Sequence, residues 1–491
     1  MTETTLWLML ALLAAPVAGA LVAGLSPGRS ARTVAAIAAL LTALIGIRLV
    51  IAAYPGGASF LLGGLPWLPG AMATSVFGLA IDPLSSIMVL VITVIGFLVV
   101  LYSTEYLSPR HAEHPAHDGY QRYYFWLLLF VGAMVGLVLS PNLLQLFIFW
   151  EITTLCSWAL ISHTQEPAAT RAGFKALVMT HIGGFAFLIA LLLVFVTTRS
   201  FEFSALGRLP GGLKSAASVL LLLAAWAKSA QIPFHTWLPD AMEAPTPVSA
   251  YLHAAAMVKA GVYLIARLAG SGWEAPPHIS VLIAAMAMLT MFMAVLFYLH
   301  QDDLKRLLAY STISHLAYIF IGISLGLAGS TLGYQGAALH ILCHGAAKAT
   351  LFLCVGAVAY GTGTRRISQL SGLGARMPLE AAAFFIGALA VTGVPPFSCF
   401  WSKLFIFMGA LDTPAGVILL ALLATESVIS FGWLMWVGQK VFLGQPSAVA
   451  AAAADPPWPM SVALVAGIVL CVAAPYVGLP LVKLLTPGGG F

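Results

Sequence analysis

Apolar runs of about 18 residues or more recur along almost the whole chain, each long enough to cross a roughly 30 Å hydrocarbon layer as a helix. They fall near residues 6–26, 33–53, 84–103, 123–140, 142–162, 175–197 and 216–236, then near 247–269, 279–299, 304–327, 334–360, 380–409, 415–441 and 459–484. The pattern predicts an all-α polytopic membrane protein of about 14 transmembrane helices. Only a tight turn at Ser140, Pro141 and Asn142 divides the fourth span from the fifth. The first run lacks the basic flank of a cleaved leader and reads as a first helix. No large soluble domain is expected at either end, and the one biased stretch is the Ala/Pro-rich segment 446–459.

Two of these runs contain interior prolines. The seventh reads AWAKSAQIPFHTWLPD, with Pro233 and Pro239, and the twelfth reads ALAVTGVPPFSCFWSK, with Pro395 and Pro396. Proline breaks a helix, and at membrane depth the freed backbone is tolerated only where it faces protein or a watery cavity. The breaks sit five spans apart with a lysine on opposite sides, Lys228 before its prolines and Lys403 after. An odd separation makes equivalent spans run in opposite directions, the mark of inverted repeats meeting at a midplane site. The expected organisation is therefore three N-terminal helices (1–122), a first five-helix unit with spans 4 to 8 (123–269), and an inverted second unit with spans 9 to 13 (270–441). A last helix follows (442–491). Unrelated proline kinks are the alternative.

Composition agrees with this reading. The 491 residues are 61% hydrophobic and 8% charged, against about 25% charged in ordinary soluble domains. The net charge of +5 comes without a basic run, which excludes a nucleic-acid surface. Twelve basic residues, Arg29 to Lys440, lie in connections after odd-numbered spans, and four, Arg199, Arg208, Lys214 and Arg267, after even-numbered ones. By the positive-inside rule both termini face away from the cytoplasm. The five cysteines show no CxxC or CxxH pairing, so no metal, iron–sulfur or other redox cofactor is expected in this chain.

The chemistry lies in lone charges inside apolar spans: Glu151, Lys228, Lys259, His344, Lys348 and Lys403. Each costs roughly 2.5 to 3.5 kcal/mol at a helix centre, so they mark a candidate proton pathway. Lys228 is the expected partner of Glu151, a pair that moving one proton can switch; a static pair that only fixes packing is the alternative. His253 precedes Lys259 by six residues, about 240° around a continuous helix, so the two should serve successive stations. His340, His344 and Lys348 recur every four residues as one stripe. A metal site at the two histidines competes with that reading, without an HExxH glutamate to support it. The tenth span, QDDLKRLLAYSTISHLAY, adds Lys305 and His315 among hydroxyl side chains. His181 is a weaker candidate.

These stretches resemble the antiporter-like subunits of respiratory complex I, multi-subunit cation/proton antiporters and membrane-bound group 4 hydrogenases. FWEITTLCSWALIS, WAKSAQIPFHTWLPDAMEAPTPVSAYLHAAAMVKAGVY, DDLKRLLAYSTISHLAY, HILCHGAAKATLFL and TGVPPFSCFWSK carry the likeness, which is nearest to the hydrogenase-4 component D family. The resemblance implies a proton-translocating subunit without a redox site. Its partners would be other antiporter-like and small membrane subunits, lipids, and a soluble arm holding a NiFe centre and Fe–S clusters. It implies Glu151 and Lys228 as the first half-channel pair, Lys259 with His253 as the bridge, His340, His344 and Lys348 as the second relay, and Lys403 as the exit carrier. Some relatives place Glu there, so Lys403→Glu is expected to keep partial function. A multi-subunit Na+/H+ antiporter or NADH:quinone oxidoreductase subunit, and a non-pumping anchor, are the alternatives.

Overall fold

The computed structural model describes residues 3–62, 76–113 and 118–489. It is helical almost throughout. The N-terminal part holds α1 (Glu3–Leu25), α2 (Ser30–Ala53) and α3 (Pro83–Tyr106), with strands β1 (Ala58–Leu62) and β2 (Phe77–Ile81) between the last two. The first repeat region holds α4 (Tyr120–Val138), α5 (Leu143–Ile161), α6 (Pro167–Thr198), α7 (Gly211–Lys228), α8 (Trp237–Asp240), α9 (Thr246–Ala254) and α10 (Met257–Gly270). The second holds α11 (Pro277–Tyr298), α12 (Leu304–Leu327), α13 (Thr331–Thr362), α14 (Pro378–Thr392), α15 (Ser398–Ala410) and α16 (Gly416–Phe442). A short α17 (Ala448–Ala451) and the long α18 (Trp458–Val482) close the described chain.

Among the described residues twelve helices have the length and apolarity to cross a membrane, α9 and α10 counting as one. The other two of the fourteen expected spans are the seventh and twelfth, the ones read as broken. α7 stops at Lys228 and gives way to turns and the four-residue α8, while α14 and α15 are separated by Gly393–Phe397. Sequence reasoning missed a third break, with no proline in it. Between α9 and α10, Ala255 and Ala256 both donate to Tyr251 O, and Ala256 leaves helical space at φ −110°, ψ −114°. The 240° estimate for His253 and Lys259 assumed a continuous helix and is corrected by this break.

The all-α expectation also misses the antiparallel β1–β2 hairpin. Its strand β2 is anchored by Gln145, whose amide exchanges hydrogen bonds with Gly78 N and O at 2.9 Å each. The turn at Ser140–Asn142 is as expected: Asn142 caps α5 by accepting from Gln145 N, satisfying one of the helix's free amides.

α12 and α13 form the core. α13 packs against α3, α9, α12, α14, α15 and α18, and is buried on all faces from Gly333 to Gly361. α6, α16 and α18 lie outside with exposed apolar side chains such as Ile182, Phe185, Val428 and Val469, as lipid-facing helices do. Chain order puts the basic connections at one face of the bundle; the α2–α3 connection and the ends of α10 and α18 lie at the opposite face.

Candidate functional site

Lys228 ends α7 inside the bundle, fully buried. Its ammonium donates to Trp150 O at 2.8 Å, Thr153 Oγ1 at 2.8 Å and Thr154 Oγ1 at 2.6 Å, all on α5. Three N–H bonds meet three neutral acceptors. Glu151 is one residue on from Trp150, about 100° around α5, and turns instead toward α6. There its Oε2 meets His181 Nδ1 at 2.8 Å, with side chains 23% and 48% exposed, while Oε1 is buried without a protein partner. Glu151 thus makes its direct contact with His181 and not with Lys228, which stays within its electrostatic reach. Gly184 makes room for it: a Cβ at that position would lie 2.2 Å from Glu151 Oε1.

Past the α9–α10 break, Lys259 donates to Ile341 O at 2.5 Å and lies 3.2 Å from His344 Nδ1. His344 belongs to a triangle with His340 and His315, ring centroids 5.6 to 5.8 Å apart. The i, i+4 spacing supplies two members from α13, and α12 contributes the third. Both nitrogens of His315 and Nε2 of His340 and His344 are buried without protein partners. His340 Nδ1 lies 2.8 Å from Ser402 Oγ, one residue before Lys403.

Lys403 ends this row. It donates to Thr392 O at 3.2 Å and Ser427 Oγ at 3.0 Å, stands 4.4 Å over the Tyr318 ring, and pairs with Glu426 Oε2 at 3.8 Å. Glu426 is fully buried and accepts from Ser314 Oγ at 2.8 Å, Ser430 Oγ at 2.7 Å and Tyr318 OH at 2.7 Å. Sequence reasoning omitted Glu426, although it is a lone carboxylate in the thirteenth apolar run and satisfies the same criterion as the residues chosen.

Two lysines and a histidine link this row to the basic face. Lys348 donates to Leu308 O at 3.1 Å and Ser311 Oγ at 2.8 Å. Lys305 donates to Met242 O at 2.7 Å and Ala244 O at 2.6 Å. His253 lies within electrostatic reach of both lysines, its ring 4.5 Å from that of Phe352. Lys305 borders a cavity of about 550 Å³ that Glu113, Arg122, His163, Glu243 and Arg365 also line. Burial, with the Arg122 guanidinium nearby, pulls the His163 imidazole down to about 4 against the pull of Asp118, so it stands neutral at this mouth.

Among the described residues no three His, Cys, Asp or Glu side chains converge as metal ligands. The structure therefore brings Lys259, His344, His315, His340 and Lys403 into one row and sets Lys305, His253 and Lys348 beside it. Lys228 and Glu151 each stand with other partners.

Comparison with known proteins agrees with the geometry. Residues 140–430 match the family described as NADH:quinone oxidoreductase/Mrp antiporter, TM, and residues 67–124 match NADH-Ubiquinone oxidoreductase (complex I), chain 5 N-terminus. The chain is 39% identical over 359 residues to the chloroplastic NAD(P)H-quinone oxidoreductase subunit 5 of Chaetosphaeridium globosum, covering 69% of this chain and 51% of that one. With the Carthamus tinctorius counterpart it shares 40% over 347 residues, covering 67% and 45%. The chain thus spans about half the length of the curated relatives it matches. It superposes on a chain of the Mrp complex from Dietzia sp. DQ12-45-1b with TM-score 0.84 and 32% identity, over 97% of this chain and 51% of that one. On a chain of the membrane-bound sulfane sulfur reductase, an archaeal respiratory membrane complex, the TM-score is 0.82 with 26% identity, over 97% and 96%.

Proposed function

We propose that this chain, which belongs to the NADH:quinone oxidoreductase/Mrp antiporter transmembrane family, is the proton-translocating antiporter-like subunit of a multi-subunit respiratory complex. The observation that carries this reading is the row from Lys259 through His344, His315, His340 and Ser402 to Lys403 and Glu426, in which the three imidazoles stand 5.6 to 5.8 Å apart with free nitrogens between them. Imidazoles accept on one nitrogen and donate from the other, so a file of them between two lysines moves a proton by successive hops. Lys305, at the basic-face cavity, and His253, within electrostatic reach of it, feed the row. Glu151 with His181, and Lys228, form a second station near the edge of the bundle.

The chain supplies the ion path and its partners the driving force. The motif likeness to hydrogenase-4 component D supports a NiFe hydrogenase arm with Fe–S clusters as that source. The curated relatives, subunits of NAD(P)H-quinone oxidoreductases, support a quinone-reducing assembly of the complex I kind. In either case the subunit sits in the inner membrane of a prokaryote with both termini outside the cytoplasm.

The test is ion uptake into vesicles holding the purified whole complex, driven in turn by hydrogen or formate, by NADH, and by an imposed Na+ gradient. Lys259→Ala and Lys228→Ala should each abolish donor-driven proton uptake while the complex still assembles. Wild-type uptake with Lys259→Ala would remove the row from the pathway. Uptake driven by the Na+ gradient alone would favour the antiporter reading, which the Dietzia Mrp likeness supports.

A further inference from the structure

Beyond Lys259 the polar row does not stop. Lys259, Tyr263 and Arg267 recur every four residues along α10, one stripe from the α9–α10 break to the end of the helix. All three are buried. Arg267 grips Asp82, the N-cap of α3, through Nη1 to Oδ2 at 2.7 Å and Nη2 to Oδ1 at 3.0 Å, with side chains 4% and 19% exposed. Burial pushes the Asp82 carboxyl up, but Arg267 and the Ser85 amide and hydroxyl outweigh it and hold the group below the usual carboxylate range.

The pair controls the hydroxyl between it and Lys259. Arg267 donates to Tyr263 OH from Nη2 at 2.6 Å and from Nε at 3.2 Å, and Tyr263 donates its own proton to Val138 O at 2.8 Å. Both lone pairs and the proton of that hydroxyl are therefore occupied. Outside the pair lies a cavity of about 490 Å³, lined by Asp82, Arg267, Tyr334, Ser59 and Thr486, at the face opposite the basic one.

Resting on the relay reading above, we infer that the Asp82–Arg267 pair is the gate of the relay's opposite-face mouth, with Tyr263 as the step between Lys259 and the cavity. While the pair is closed, Tyr263 has no free lone pair to take a proton. When Arg267 swings away, the phenol oxygen accepts a proton from the Lys259 side as its own leaves toward the cavity, so the hydroxyl is regenerated. A bidentate Arg–carboxylate pair suits this role because it is strong while made and binary in geometry. If the pair served packing alone, its loss would weaken the fold without opening a path.

The experiment uses the whole complex in vesicles, without electron donor, under an imposed pH gradient read by a trapped dye. Asp82→Asn should raise the passive proton leak several-fold, and adding Lys259→Ala should return it to the wild-type level. No rise, or a rise that Lys259→Ala leaves in place, overturns the gate. Tyr263→Phe keeps the ring and is the second variant should Asp82→Asn fail to assemble. It should cut donor-driven uptake several-fold at unchanged complex yield, and wild-type uptake overturns the step. If Lys259→Ala by itself pumps normally, the relay reading fails; if it is inactive while Tyr263→Phe pumps normally, only the gate does.

Discussion

Glu426→Gln should slow pumping about tenfold or more without dismantling the protein. The glutamine keeps an acceptor for Ser314 and Ser430, removes the charge opposite Lys403 and gives up one hydrogen bond, since the amide nitrogen cannot accept from Tyr318 OH. Two unit charges 3.8 Å apart attract by about 4 kcal/mol at an effective dielectric constant of about 20. Losing that attraction changes the ratio of seated to displaced ammonium roughly a thousandfold. If even a third of it enters the barrier for proton transfer, the rate falls about tenfold. Donor-driven uptake in vesicles is the readout, with complex yield as the control, and wild-type uptake would refute the reasoning. Glu426→Ala removes the hydrogen bonds as well and strands a buried ammonium, so it should also destabilise by about 3–5 kcal/mol. The pair also reverses the expectation for Lys403→Glu: a second carboxylate within about 4 Å of Glu426 turns the attraction into repulsion of the same order, and that variant should be inactive.

Three further outcomes are expected. Lys403→Arg should also fail, since guanidinium keeps its proton at any working pH; active uptake would mean that the position supplies fixed charge only. Gly184→Ala puts a methyl 2.2 Å from Glu151 Oε1 and should part Glu151 from His181 or shift α6, costing about 1–3 kcal/mol in thermal unfolding and lowering uptake. His163, held near 4 in the fold against an ordinary 6.5, binds its proton more readily when unfolded, so its contribution is complete above pH 6.5 and is lost as pH falls toward 4. Unfolding of the detergent-solubilised complex should show up to about 3 kcal/mol of this loss, and His163→Gln should flatten that part of the pH profile.

What the sequence made legible follows from what each signal measures. Apolar runs report residence in lipid, so the spans were readable, and proline reported two of the three breaks. The third, at Ala255–Ala256, carries no such residue: alanine is the best helix former, and only the surrounding packing overrides it. The i, i+4 rule placed His340, His344 and Lys348 on one face because that is a property of a single helix. Which charges meet between helices is not. The reading assigned Glu151 to Lys228 because both were isolated, whereas the 100° step from Trp150 to Glu151 sends the carboxylate to His181. Glu426 was passed over despite lying alone in apolar surroundings, Arg267 was counted with the basic residues of a connection although it lies buried in α10, and Asp82 reads in sequence only as a helix cap before Pro83.

The way each lysine is seated separates carriers from a latch. Lys228, Lys259, Lys305 and Lys348 are held by carbonyls, hydroxyls or an imidazole, with no carboxylate in contact among the described residues. Such a lysine gives up its proton without stranding a negative charge, since its neutral amine can still bond the same acceptors. Lys403 differs, because removing its proton leaves Glu426 as an uncompensated buried carboxylate, which is costly. In the relay proposed above, a proton then passes readily among Lys305, Lys348 and Lys259 and halts at Lys403 until something else neutralises Glu426. The Asp82–Arg267 pair imposes the same kind of stop beyond Lys259. On the proposed reading, a relay with low resistance inside and an ion pair at two of its exits conducts only when one pair is opened, and that condition separates a pump from a leak.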